Sequence, residues 1–187
     1  PTLRQLPIWI DPQAGRLALG AAALREAAGQ DMPTTRAGSL RSGAGDDRGP
    51  QRLPLHWRHG VPLLQLRTPA GPVMALADSG AEGLFISALL ADRLPLVGAP
   101  WPLRLVGFCG EQRVEQRSLV GVGFEGAAPL PHMSSTGGGQ GAIHPVIVAT
   151  NPIFTVLGVD AIAGQELLRD RRQLWRLDLP SARLEIR

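Results

Sequence analysis

The chain has 187 residues, 44% of them hydrophobic, which is enough for one packed domain with appendages. Its pI near 10.8 suggests a basic protein, yet the formal net charge is only +3, because the chain contains no lysine and no tyrosine. The arginines are spread among aspartates and glutamates without a basic block, so composition argues against a nucleic-acid partner.

The single cysteine, Cys109, excludes an internal disulfide and a cysteine-cluster metal site. No apolar run reaches the roughly 18 residues needed to cross a bilayer, so no membrane segment is predicted in this chain. The first residues lack the basic-then-apolar order of a signal peptide. The chain opens with Pro1 and not with Met, which leaves open whether an upstream segment has been removed by processing or by the choice of expressed fragment. An exported or bacterial cell-envelope context is favoured.

In chain order, residues 1–29 contain "LPIWIDPQAGRLAL", which predicts a hairpin, and "GAAALREAAG", which predicts a short helix. Residues 30–51 are polar, glycine-rich and aperiodic, and are predicted to be a flexible linker. From residue 52 to residue 187, short apolar runs such as "VPLLQLRT", "PVMALA" and "FTVLGV" alternate with glycine and proline. This texture predicts an all-β domain.

One internal repeat is visible. Residues 9–19, "WIDPQAGRLAL", align without a gap to residues 176–186, "RLDLPSARLEI", and both segments are predicted to be hairpins. Two interpretations are open: a chance likeness of two amphipathic hairpins, or an N-terminal hairpin that closes an earlier, related lobe. In the second interpretation both hairpins lie at a junction between lobes, with Trp9 and Trp175 as partly shielded anchors.

The stretch "VMALADSGAEGLFIS" carries a charge to the end of an apolar strand. Asp78 follows the strand, and Gly80 permits a tight turn. A lone Asp-Ser-Gly is usually a surface turn. Here apolar residues flank the turn on both sides, so the carboxylate is held on a rigid base close to apolar surroundings, and Asp78 is the candidate catalytic residue.

These residues resemble the active-site signature of the retropepsin-like aspartic proteases, the retroviral enzymes and their bacterial relatives. The family's second signature is matched by "VLGVDAIAGQELL", with Gly158 and Asp160 in the family's positions. Its flap, a glycine-bearing hairpin, is matched by "LRLVGFCGEQRVEQ". The predicted flap tip comprises Val106, Gly107, Phe108, Cys109 and Gly110. The resemblance spans about residues 53–186.

The resemblance implies an all-β fold: a retropepsin-like acid protease barrel with one short helix after the second signature, and one lobe per chain. It implies an endopeptidase that needs no cofactor or metal and acts on an extended peptide or protein. Ser79 is expected to bridge two active-site turns, Ala81 to form an apolar floor, and Gly158 and Asp160 to serve packing. Cys109 is expected to make an apolar contact rather than a redox switch.

An aspartic protease needs two carboxylates that share a proton, because like charges about 3 Å apart cannot both ionise; this enzyme class is the standard example. The chain holds only one Asp-Ser-Gly. The expected solution is a homodimer that brings together two copies of Asp78. Two alternatives stay open: a partner Asp in an upstream lobe, or a binding or assembly module without proteolysis.

The remaining predictions concern the surroundings of the site. The glycine-rich segment "FEGAAPLPHMSSTGGGQGAIHP" is predicted to be a loop inserted after the flap, its role in residues 125–145 left open. Two of its residues, His132 and His144, have no further ligand in view, so no metal site is predicted. Apolar subsites are predicted from Leu84, Val106, Phe108 and Ile153, although the peptide bond that is cut is not specified.

Overall fold

The computed structural model describes residues 5–29, 50–107, 110–126 and 142–187. The predicted linker, apart from its last two residues, and most of the glycine-rich insert, including His132, lie outside them. Within the described residues, strands dominate and the helices are short, so the chain is all-β in class. The strands are β1 (Pro7–Asp11), β2 (Arg16–Leu19), β3 (Gln51–Pro54), β4 (His56–Arg58), β5 (Val61–Thr68), β6 (Gly71–Ala77), β7 (Leu84–Ser87), β8 (Val97–Gly107), β9 (Gly110–Val120), β10 (Gly123–Phe124), β11 (Ile143–Ala149), β12 (Ala161–Ala163), β13 (Gln173–Arg176) and β14 (Arg183–Ile186). The helices are α1 (Ala21–Gly29), α2 (Ala88–Ala91), α3 (Ile153–Leu157) and α4 (Gln165–Leu168).

The chain divides into two compact units. The first combines the segment up to Arg52 with Asp170–Arg187, and the second is Leu53–Arg169. The prediction of one domain over residues 52–187 therefore differs from the observed division at its C-terminal end. The difference arises because an apolar pattern marks a segment as a strand without specifying which strand it pairs with.

The first unit contains a five-stranded sheet of order β2-β1-β13-β14-β3. Both predicted hairpins are confirmed: Asp11 pairs with Arg16 in the first, and Arg176 with Arg183 in the second. The predicted helix is α1, and its Ala23 is fully buried against Trp9.

The second unit contains a nine-stranded sheet whose main path is β10-β5-β6-β12-β7-β11-β9-β8, with β4 paired to β5. The strand β12 runs parallel to β6 and antiparallel to β7, so it lies between two strands that are consecutive in the chain. This path is open at both ends, so the predicted barrel is not confirmed. The core cluster beneath the sheet contains Leu63, Val114, Ala149, Phe154, Leu157 and Val159.

The short helices correct one element prediction. The run "FTVLGV" was predicted to be a strand, but its first four residues belong to α3. The Asn151 side chain accepts a hydrogen bond from the Ile153 N–H at 2.9 Å, and Gly158 ends the helix with φ 58°. These end signals override the strand preference of the residues between them. The single predicted helix after the second signature is α4, while α2 and α3 were not predicted.

Candidate active site

Asp78 follows β6 directly and is fixed by its own turn. Its backbone N–H donates to the Ala163 carbonyl at 3.1 Å. Its carboxylate oxygen Oδ1 accepts from the Gly80 N–H at 2.9 Å, and its carbonyl accepts from the Ala81 N–H at 3.2 Å. The side chain is half-buried. The Asp-Ser-Gly sequence therefore folds into a turn that holds one carboxylate oxygen and leaves the group accessible from one side.

The position of β12 explains where the Asp78 loop lies. Because β12 separates β6 from β7, the loop between them must cross the end of β12, where Gly164 lies. An ideal Cβ on Gly164 would lie closer than 3.0 Å to the carbonyl oxygens of Ala81 and Gly83. Only glycine therefore allows the Asp78 loop to approach the strand end this closely.

Gln165 adds two hydrogen bonds to the same loop. Its backbone N–H donates to the Ala81 carbonyl at 2.7 Å, and its side-chain Nε2 donates to the Ser79 carbonyl at 2.6 Å. The side-chain oxygen of Gln165 is buried and has no hydrogen-bond partner. Ser79 itself is exposed. The loop that carries Asp78 is thus held from below by Gly164 and Gln165, neither of which was among the predicted site residues.

The predicted second-signature residues, Gly158 and Asp160, lie before β12, whereas Gly164 and Gln165 follow it. Gly158 ends α3, and its carbonyl accepts from Arg58 Nη1 at 2.8 Å. Asp160 donates its N–H to the Met74 carbonyl at 3.0 Å and accepts at its own carbonyl from the Ser87 N–H at 2.9 Å. These bonds connect backbone segments and do not reach the Asp78 loop.

A signal for the missed residues was present in the sequence. The segment "IAGQELL" repeats the order of the second signature, two apolar residues, glycine, any residue and an acidic residue, with Glu166 in the acidic place inside α4. This second match, centred on Gly164, is the one that contacts the Asp78 loop.

The predicted flap is an antiparallel hairpin formed by β8 and β9. Pairing runs to Gly107 opposite Gly110, and Phe108 and Cys109 lie outside the described residues. An exposed ion pair from Arg104 Nε to Glu111 Oε1 at 2.7 Å spans the two strands, and this hydrogen bond raises the pKa of Arg104.

A cavity of about 490 Å³ opens beside Asp78, between its turn and the hairpin. Of the four predicted subsite residues, Val106 lines it, whereas Leu84 is fully buried and Ile153 packs against the core cluster. Phe108 lies outside the described residues. The cavity is lined by Asp78, Gly80, Ala81, Glu82, Phe85, Leu105, Val106, Gln112, Ala149, Asn151, Phe154 and Ile162.

The other groups considered at the sequence level lie elsewhere. His144 is buried, and its Nδ1 lies 3.3 Å from Glu166 Oε1. Across the described ranges, no group of three or more histidine, cysteine, aspartate or glutamate side chains is placed to hold a metal ion. No helix in the same ranges is long and apolar enough to span a bilayer.

No protein-family model and no curated protein sequence matches this chain. Its function must therefore be inferred from the motifs and the geometry of this site.

Proposed function

We propose that this chain is the Asp78-bearing half of an aspartic endopeptidase. The observation that carries the proposal is a half-buried carboxylate, fixed by the Gly80 N–H, at the wall of a cavity beneath a glycine-ended hairpin. The second carboxylate comes from a symmetry-related lobe, either a second copy of the chain or a separate lobe.

The cavity wall suits an extended peptide with apolar side chains. Phe85, Leu105, Val106, Phe154 and Ile162 supply apolar surface on several sides of Asp78. A substrate strand could add backbone hydrogen bonds along the hairpin, and the side chains in the cavity would select apolar residues next to the cleaved bond.

The reaction requires no covalent intermediate. One carboxylate takes a proton from water as the water oxygen adds to the peptide carbon, and the protonated partner donates its proton to the carbonyl oxygen. In the second step the C–N bond breaks, and the nitrogen takes the proton held by the first carboxyl group. A hydroxyl proton of the intermediate returns to the second carboxylate, which restores the starting state.

The first test of the proposal is Asp78→Asn, made in the full-length gene product. Peptide cleavage, read by mass spectrometry on a mixture of proteome-derived peptides, should fall by about a thousandfold or more, because the general base is lost. The matched control is Asp92→Asn, which removes an exposed carboxylate after α2 and should leave cleavage unchanged. Unchanged cleavage by Asp78→Asn would contradict the proposal.

Glu82→Gln separates a dyad between lobes from one within this lobe, because Glu82 is a second carboxylate on the cavity wall. A dyad between lobes predicts that Glu82→Gln changes KM more than kcat. A loss of kcat as large as that of Asp78→Asn would place both carboxylates in this chain.

A shared proton predicts a rate that peaks on the acid side of neutrality and falls on both sides. Chelators should have no effect. Loss of activity in EDTA with recovery on adding zinc would replace the dyad with a metal-activated water.

A further inference from the structure

The two terminal hairpins pair with each other through their tryptophan-bearing strands. In the order β2-β1-β13-β14, the antiparallel pair β1–β13 is central and the second strand of each hairpin lies outside it. The first strand of one hairpin therefore occupies the same place in the sheet as the first strand of the other.

The pairing registers extend this match to single residues. Across the central pair, Trp9 lies opposite Leu174 and Trp175 lies opposite Ile8. Directly opposite residues point to the same face of a sheet and neighbouring residues to opposite faces, so Trp9 and Trp175 lie on opposite faces. A local twofold axis perpendicular to the sheet keeps each residue on its own face, and the axis through the Ile8–Trp175 pair relates Trp9 to Arg176.

The sequence repeat follows the same relation. The gapless alignment of residues 9–19 with residues 176–186 sets Trp9 against Arg176, and it sets β2 against β14 residue for residue. The register within the two hairpins differs by two residues, because Asp11 pairs with Arg16 whereas Arg176, and not Asp178, pairs with Arg183.

We infer that the hairpin β1–β2 is the C-terminal hairpin of a second lobe, in the same way that β13–β14 is the C-terminal hairpin of the Asp78-bearing lobe. The rest of this second lobe is encoded before Pro1 in the same polypeptide. This inference rests on the proposed function: the second lobe supplies the partner carboxylate from its own Asp-Ser-Gly or Asp-Thr-Gly turn. The place beside the C-terminal hairpin is taken by the N-terminal one: β13 is paired on one side with β14 and on the other with β1, so neither edge of β13 is open to a second copy.

The first test reads the codons that precede Pro1 in the gene. They should encode an apolar strand followed by Asp-[Ser/Thr]-Gly, then further strands, over a length similar to Leu53–Arg169. Absence of such a turn overturns the inference and leaves the homodimer as the source of the second carboxylate.

The second test measures cleavage of the peptide mixture by the whole polypeptide. Changing the upstream Asp to Asn should abolish cleavage as fully as Asp78→Asn. Specific activity should stay within about twofold over roughly a hundredfold dilution, because both carboxylates belong to one chain. A fall in specific activity in proportion to dilution would overturn the inference, since only a dissociating dimer behaves in that way.

The isolated 187-residue chain is the matched control. It should sediment as a monomer and leave the peptides uncut. If it forms a dimer that cleaves them, and Asp78→Asn removes that activity, the inference fails while the aspartic protease function stands. If the upstream turn is present but the whole polypeptide cleaves no peptide at acid pH, the lobe arrangement stands and the proposed function fails.

Discussion

At the scale of single residues, Gly164 decides how the Asp78 loop is placed. The atoms that a Cβ would meet are backbone oxygens of Ala81 and Gly83, and backbone cannot move aside as a flexible side chain can. The loop would have to lift away from the end of β12. Gly164, which does not line the cavity, thus sets how closely the Asp78 loop approaches the end of β12.

Gly164→Ala should therefore lower the free energy of unfolding of the second unit by about 3 kcal/mol, the upper range for overpacking. Chemical denaturation followed by circular dichroism measures it. Gly29→Ala is the matched control: nothing lies within 4 Å of an ideal Cβ there, and the residue ends α1. The control should change stability by less than about 1 kcal/mol. Equal stability of Gly164→Ala and the parent would show that the loop can relax.

Gln165 offers a second test at this scale. Gln165→Glu keeps the shape of the side chain but replaces the donor to the Ser79 carbonyl with a carboxylate. We expect faster hydrogen exchange at the Gly80 and Ala81 amides and a loss of about 1 kcal/mol. The proposed reaction adds a kinetic expectation, in which kcat falls and KM changes little, because the turn that holds Asp78 is disturbed while the apolar side chains of the cavity are not. Unaltered exchange at both amides would exclude a positioning role.

At the scale of elements, the sequence predicts segments well and faces poorly. The hairpins and α1 follow from local pattern. The predicted subsites Leu84 and Ile153 were each one residue from a cavity-lining residue, Phe85 and Phe154. An apolar run buried on both faces carries no alternation, so it does not show which side chain faces a cavity and which faces the core.

The stability of the second hairpin depends on pH through an ion pair at its turn. The Arg176 guanidinium donates to Asp178 at 2.9 and 3.0 Å and lowers the pKa of that carboxyl group below its ordinary 3.8. A depressed pKa means that the pair stabilises the folded hairpin above pH 3.8 and loses this contribution as the pH falls through the lower, folded-state pKa.

Asp178→Asn should therefore destabilise the first unit by about 1 kcal/mol at neutral pH. The difference from the parent should shrink as the pH falls below 3.8. Denaturant unfolding followed by tryptophan fluorescence at several pH values measures both effects. The control, Asp170→Asn, removes an exposed carboxylate of the same unit and should change stability by less than about 0.5 kcal/mol. A difference that grows in acid would contradict the assigned ion pair.

At the scale of the whole molecule, the all-β class was predictable and the division into units was not. Short apolar runs between glycine and proline specify strands. The pairing of β1 with β13 joins segments about 165 residues apart in sequence, and no local pattern encodes such a contact.

This long-range pairing makes the C-terminal hairpin dependent on the N-terminal one. Trp9 is 2% exposed and packs with Ala23 and Leu174, so it contacts both α1 and β13. Trp9→Ala should cost about 3 to 5 kcal/mol within the first unit, as expected for a buried tryptophan.

The consequence to measure is at the other end of the chain. In Trp9→Ala, the backbone amides of β13 should exchange faster with deuterium, although they lie more than 160 residues away in sequence, because β13 loses support on one edge. Trp101→Ala is the matched control, since Trp101 is 68% exposed in the second unit and should leave β13 exchange unchanged. If β13 kept its protection in Trp9→Ala while α1 lost its own, the N-terminal hairpin would be an appendage to an independently stable C-terminal hairpin. Faster exchange across β13 would instead mean that the two hairpins fold as one sheet, as the inferred junction between two lobes requires.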